Sequence, residues 1–178
     1  GLTDWYPGPQ EDDRFWPPLR RLLEEKGWSE DVVQSVDDAS SKVLSHMQPP
    51  GVGSFSTRGL VLGYVQSGKK TNFTGLISKA VEVGYKFFIV LSGVHNKLRA
   101  QTQARLYDEL VALNTEHWIS VTQLDSDFRI SGVGNVDAFL TANYDHKVLG
   151  VVKKNMTVLT RLRDWLRGAS ETVLAACP

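Results

Sequence analysis

The stretch Leu60-Val61-Leu62-Gly63-Tyr64-Val65-Gln66-Ser67-Gly68-Lys69-Lys70-Thr71-Asn72-Phe73 decides how this chain folds. Its opening run, residues 60–65, is short, apolar and rich in large or β-branched side chains. With no alternating polar side, it reads as a strand buried on both faces, the condition of a parallel sheet. Over residues 72–83 the apolar positions Phe73, Leu76, Ile77, Ala80 and Val81 recur at helical spacing. Between strand and helix, residues 63–69 match G-x-x-x-x-G-K, standing where a phosphate-binding loop stands. Gly63 and Gly68 free the backbone so that the amides of Gln66, Ser67 and Gly68 can curl around phosphate oxygens. The helix start adds the positive end of its dipole, and the Lys69 ammonium neutralises the outer phosphates.

Working outward, Lys86-Phe87-Phe88-Ile89-Val90-Leu91 is a second buried strand, so residues 60–91 form a βαβ unit with a right-handed crossover. A helix follows over residues 97–113, with Leu98, Ala104 or Arg105, Leu106 and Leu110 on its buried side. Residues 118–122 alternate as a short strand does, and residues 124–143, rich in Asp, Ser, Gly and Asn, read as an irregular insertion. Val148-Leu149-Gly150-Val151-Val152 is a third buried strand. Val158, Leu159, Leu162, Trp165 and Leu166 then mark the inner side of a helix over 156–167.

Upstream, Phe15, Trp16, Leu19, Leu22 and Leu23 give one face of a helix over 14–27, stopped by Gly27. Ser29 opens a second helix with Glu30 and Asp31 in its first turn, which ends at Pro49-Pro50 and is expected to pack on the flank of the sheet. The fold expected is therefore α/β, a partial parallel sheet of the P-loop NTPase (RecA-like) kind flanked by helices. Residues 1–50 form a helical N-terminal segment, 51–57 a linker and 58–178 the incomplete RecA-like domain.

The 178 residues are 42% hydrophobic and 22% charged, which excludes disordered, collagen-like and coiled-coil classes. No uninterrupted apolar stretch exceeds the five residues of Phe87 to Leu91, far below the ~20 of a membrane helix. No signal peptide is expected from the polar, Pro-rich start Gly1 to Pro9, and no internal disulfide, since the single cysteine is Cys177; the compartment that follows is the cytoplasm. Charge is uneven. Residues 1–50 carry five bases and ten acids, residues 51–178 fifteen and ten, so the later part is mildly basic, as a polyanion-binding surface or a solvated face would be.

The position after Lys69 breaks the phosphate-loop pattern. Where Ser or Thr supplies a hydroxyl to magnesium, this chain has Lys70, and Thr71 follows about 100° further round the helix. An ammonium repels a divalent cation. Either Thr71 takes the metal-ligand role, or Mg2+ binding is weakened and the loop holds ATP without efficient hydrolysis.

Residues 63–69, with Asn72-Phe73-Thr74-Gly75-Leu76-Ile77, Ala80, Gly84-Tyr85, Ser92-Gly93, Leu98-Arg99, Gln101-Thr102-Gln103 and Arg105-Leu106, also carry a resemblance. Together with Trp118, Thr122, Asp125, Asp127-Phe128, Val151 and Lys153-Lys154-Asn155, they resemble the Z-one domain family, bacterial endonucleases with a helicase-like ATPase core. The resemblance implies the first lobe of an ATPase acting on nucleic acid, in particular DNA, in restriction or phage defence. It gives Lys69 the phosphate-contacting role, and Arg99 and Gln101 a contact with the nucleic-acid backbone that competes with a plain exposed helix face. It also places the magnesium-binding acidic strand just beyond Pro178, so the chain is expected to be the front of a larger protein whose C-terminal domains lie elsewhere.

Other candidates weigh less. Asp125 and Asp127 read as turn or surface carboxylates. His46, His95, His117 and His146 lack metal-ligand spacing. Lys147, Lys153, Lys154, Arg161, Arg163 and Arg167 form a basic stripe that serves either solubility or phosphate contacts. Catalytic residues are not assignable from the sequence. The alternative function is a non-catalytic nucleotide-binding or interaction module with a degenerate loop; a small-molecule phosphotransferase would need a lid-like arginine cluster that the sequence lacks.

Overall fold

Parallel strands need long crossovers, and the strand–helix alternation after residue 57 supplies them. The computed structural model describes residues 5–47, 49, 58–62, 70–93, 95–123, 146–166 and 171–175. Strands β1 (Arg58–Leu62), β2 (Phe87–Ser92), β3 (Trp118–Ser120), β4 (Lys147–Lys153) and β5 (Glu171–Ala175) form one sheet in the order β3-β4-β2-β1-β5. Every pairing is parallel, with Leu60 opposite Phe88, Ile89 opposite Gly150 and Leu149 opposite Ser120. The helices are α1 (Trp16–Glu25), α2 (Glu30–His46), α3 (Lys70–Glu82), α4 (Asn96–Leu106) and α5 (Met156–Leu166), with a π-helical turn, Tyr107–Val111, continuing α4. The protein is thus mixed α/β, a parallel sheet flanked by helices. No helix among the described residues is long and apolar enough to cross a membrane.

Strand β5 was not anticipated. Glu171-Thr172-Val173-Leu174-Ala175 is too short to stand out, and pairing with β1 at the sheet's edge is what makes it a strand. Of the expected strand 60–65, Leu60 to Leu62 lie in β1, and residues 63–65 lie outside the described residues, as do the linker 51–57 and the irregular segment 124–143.

Side chains alternate along β2 and β4, so both faces need cover. Phe88 and Val90 join Leu149 and Val151 in a cluster with Phe73, Leu76, Ile77 and Ala80 of α3. Their neighbours Phe87, Ile89, Val148 and Val152 are buried as well, on the opposite side by alternation. Burying each such side chain contributes about 1.5–3 kcal/mol, which makes this two-sided sheet the energetic centre of the fold.

The helical N-terminal segment belongs to the same core: Tyr6, Phe15 and Leu44 share the cluster of α3 and the sheet. The expectation that α2 lies on the flank of the sheet needs correcting, because its main neighbour is α3, not a strand. The reason lies in α3 itself, which is buried on every side from Phe73 to Ala80. Its outer side offers Thr74, Gly75, Ser78 and Lys79 instead of a solvated set of charges. At Gly75 a Cβ would stand 3.3 Å from Ser40 Oγ and Val36 Cγ1, so any larger residue would make α2 give by a few tenths of an ångström.

Polar ties complete the join. The Glu82 carboxylate accepts from the backbone N–H groups of Arg14 and Phe15, supplying acceptors to a helix start whose Phe15 N-cap has no side-chain cap of its own. The fully buried Lys79 ammonium donates to the Asp37 carboxylate, to Asp37 O at 2.7 Å, and to Ser40 and Ser41 Oγ at 2.8 Å, and sits 4.5 Å from the centre of the Trp16 ring. Burial pulls Lys79 below the ordinary lysine value, while Asp37 opposes that shift. Arg20 holds the other Asp37 oxygen at 3.1 Å.

Candidate functional site

All strands being parallel, their carboxyl ends share one edge, and ligands of open α/β sheets bind outside that edge. The connections leaving the adjacent strands β2 and β4 run to opposite edges, to β3 and β5, so the topological switch lies between them, one strand from β1. β1 is an interior strand, between β2 and β5, with its last described residue, Leu62, at this edge. α3 begins at Lys70 and returns to β2. The phosphate-loop pattern therefore joins an interior parallel strand to a helix start, the context its chemistry requires.

Gly63, Gln66, Ser67, Gly68 and Lys69 lie outside the described residues. Lys70 and Thr71 are the first two residues of α3. A lysine in the position of the hydroxyl ligand does not fit Mg2+, whose ligands are oxygens, and Thr71 supplies the nearest hydroxyl in sequence. Among the described residues no group of three or more His, Cys, Asp or Glu forms a metal cluster. No described strand ends in a carboxylate: their last residues are Leu62, Ser92, Ser120, Lys153 and Ala175. Asp125 and Asp127 lie outside the described residues.

At this edge the ends of β2 and β4 are tied together. Ser92 Oγ donates to Val152 O at 3.4 Å, and Lys154 N donates to Gly93 O at 3.4 Å. Asn155 Oδ1 accepts the Val158 N–H at 2.9 Å, capping α5.

Arg99, expected either to touch a nucleic-acid backbone or to decorate an exposed helix face, is 3% exposed. Its guanidinium donates to Val151 O at 3.2 Å and Gln123 O at 2.6 Å, so it holds the ends of β4 and of the segment after β3. Of the pair, Gln101 is the one on the surface. Leu98, expected on the inner side of this helix, is 40% exposed, because α4 turns Arg99, Thr102, Gln103 and Leu106 inward instead. The carbonyls at the end of the sheet need donors, and an apolar stripe has none to offer. Arg161 and Arg163 of the basic stripe are exposed, with Arg163 3.4 Å from Asp164, and Arg167 lies outside the described residues.

Gln103 and Thr122 were not singled out as site residues by sequence reasoning. Thr122 Oγ accepts the Val151 N–H at 2.8 Å and donates to Gln103 Oε1. Polar residues at the inward positions of a weakly amphipathic helix, here Thr102 and Gln103, were the available signal. No protein-family model and no curated protein matches this chain.

Proposed function

We propose that this protein binds the triphosphate of ATP at the carboxyl edge of its sheet, through residues 63–69, as the nucleotide-binding lobe of a helicase-like ATPase that works on nucleic acid in the cytoplasm. The observation that carries this reading is topological: the glycine-lysine motif spans from the interior strand β1 to the start of α3. In this reading the amides of Gly63, Gln66, Ser67 and Gly68 surround phosphate oxygens and Lys69 neutralises them, with the α3 dipole adding roughly half a positive charge. The resemblance to the Z-one domain family supports the nucleic-acid partner, with DNA first, and it rests on motif residues alone.

A second reading follows from Lys70 at the first position of α3: a nucleotide-binding module that holds ATP without a metal and does not turn it over. Titration calorimetry with ATP, with and without Mg2+, separates the two. Mg2+-enhanced binding supports the motor lobe, and metal-indifferent binding supports the module. Lys70→Thr restores the hydroxyl and is expected to make binding at least about ten-fold more Mg2+-dependent; no change would mean that another group already holds the ion. Absence of ATP binding in both conditions would refute both readings.

A further inference from the structure

Gln103 is 5% exposed, and its neighbours dictate how its amide is turned. Thr122 Oγ already accepts the Val151 N–H, so its own proton goes to Gln103 Oε1. Arg99 Nη1, which can only donate, stands 3.4 Å from the same oxygen. Two donors hold the oxygen on their side and turn the Nε2 amino group the other way. Among the described residues no group accepts from that Nε2, and the atom is not sealed away from solvent. Gln103 lines a cavity of about 520 Å³ together with Ala104, Tyr107, Asp108, Ser120 and Gln123. That is the size of a small-molecule site.

The lining defines the ligand. A fixed amino group seeks a carbonyl oxygen. Asp108 accepts an N–H and repels phosphate, so the ligand is uncharged where it enters. Tyr107, 50% exposed, offers an aromatic face at the start of the π-helical turn, a distortion frequent at functional sites. We infer that this cavity takes a keto nucleobase, such as uracil, thymine or guanine, against Tyr107, with its carbonyl on Gln103 Nε2 and the adjacent ring N–H toward Asp108. 3-Methyluracil keeps both carbonyls but carries a methyl group where uracil carries the ring N–H, and would set that methyl against the carboxylate. The base belongs either to a free nucleoside or to a single strand. The inference stands apart from the phosphate loop, since a nucleoside has no phosphate to offer residues 63–69.

The test is a nitrogen–proton NMR titration of the full chain with uridine, 3-methyluridine, an octathymidylate and the same octamer lacking bases, reading the Gln103 side-chain amide. Uridine is expected to saturate with a shift of that amide, and 3-methyluridine to bind several-fold more weakly. Octathymidylate binding identifies a single strand as the source, uridine binding alone a free nucleoside. Tyr107→Ala, at an exposed side chain, and Gln103→Glu, which keeps Oε1 and removes the donors, should each weaken uridine about ten-fold or more. Should Gln103→Glu fail to fold, Tyr107→Ala decides. No saturation by uridine or octathymidylate, equal binding of uridine and 3-methyluridine, equal shifts from the baseless octamer, or affinities unchanged by the substitutions would overturn the inference.

Discussion

Lys79→Met keeps the length of the side chain and removes its charge, so the cost is set by what the ammonium leaves behind. Asp37 loses its closest partner but keeps Arg20 on the other oxygen at 3.1 Å. The Ser40 hydroxyl still has Val36 O at 2.7 Å, so it is not orphaned. What remains is a carboxylate, its side chain only 12% exposed, with half its pairing, and a Trp16 ring without its cation. Breaking a buried pair costs about 3–5 kcal/mol, and the retained arginine puts this case near the lower end, about 3 kcal/mol. That is a large share of the roughly 5–15 kcal/mol that holds a domain folded. Urea unfolding followed by circular dichroism reads it as a midpoint lowered by about 1–3 M at unchanged slope. Lys79→Met combined with Asp37→Leu removes the stranded charge and should recover to within about 1 kcal/mol of the parent. A single-variant loss under about 1 kcal/mol, or a double variant no better than the single, would refute the idea that this cage joins the N-terminal helices to α3.

Burial pushes the Tyr6 hydroxyl well above the ordinary tyrosine value, and the charges of Asp13, Asp37 and Glu82 add to the rise against a hydrogen bond with Ser41. As pH climbs past about 10 the unfolded tyrosine loses its proton while the folded one keeps it, so stability falls by up to about 1.4 kcal/mol per pH unit. Lys79, shifted downward, acts in the opposite sense up to the ordinary lysine value, so the comparison needed is the parent against Tyr6→Phe, whose alkaline unfolding limb should be shallower; identical limbs would contradict it. Gly150→Ala places a Cβ 2.9 Å from Ile89 Cδ1 and from the stiffer Val121 Cγ2. That overpacking should cost about 1–3 kcal/mol, measured as a melting temperature several degrees lower; an unchanged melt would mean that the sheet yields there.

The strands at 87–92 and 147–153 were legible because a strand buried on both faces has to be apolar throughout. Helix α3 was legible as well, since Phe73, Leu76, Ile77, Ala80 and Val81 recur at helical spacing, whereas residues 63–69 lie outside the described residues. The role of the first fifty residues was not. Amphipathic periodicity says that α1 and α2 bury a face, but not against what, and the clue lay in α3, whose outer side carries Thr74, Gly75 and Ser78 where a surface helix carries charge. Lys79 gave no sign of its role, because nothing in its neighbourhood in sequence reveals Asp37, forty-two positions away. Arg99 misled for the same reason: its partners, Val151 O and Gln123 O, are backbone carbonyls that the side-chain pattern does not show.

The central claim is that residues 63–69 grip a triphosphate. Its most direct test is equilibrium binding of ATP, and competition by inorganic tripolyphosphate, in the parent and in Lys69→Ala, with circular dichroism to verify that the fold is kept. The account predicts saturable ATP binding displaced by tripolyphosphate in the parent, and at least about ten-fold weaker binding once the ammonium is gone. Equal affinity in the two proteins, or no ATP binding by the parent, would contradict it.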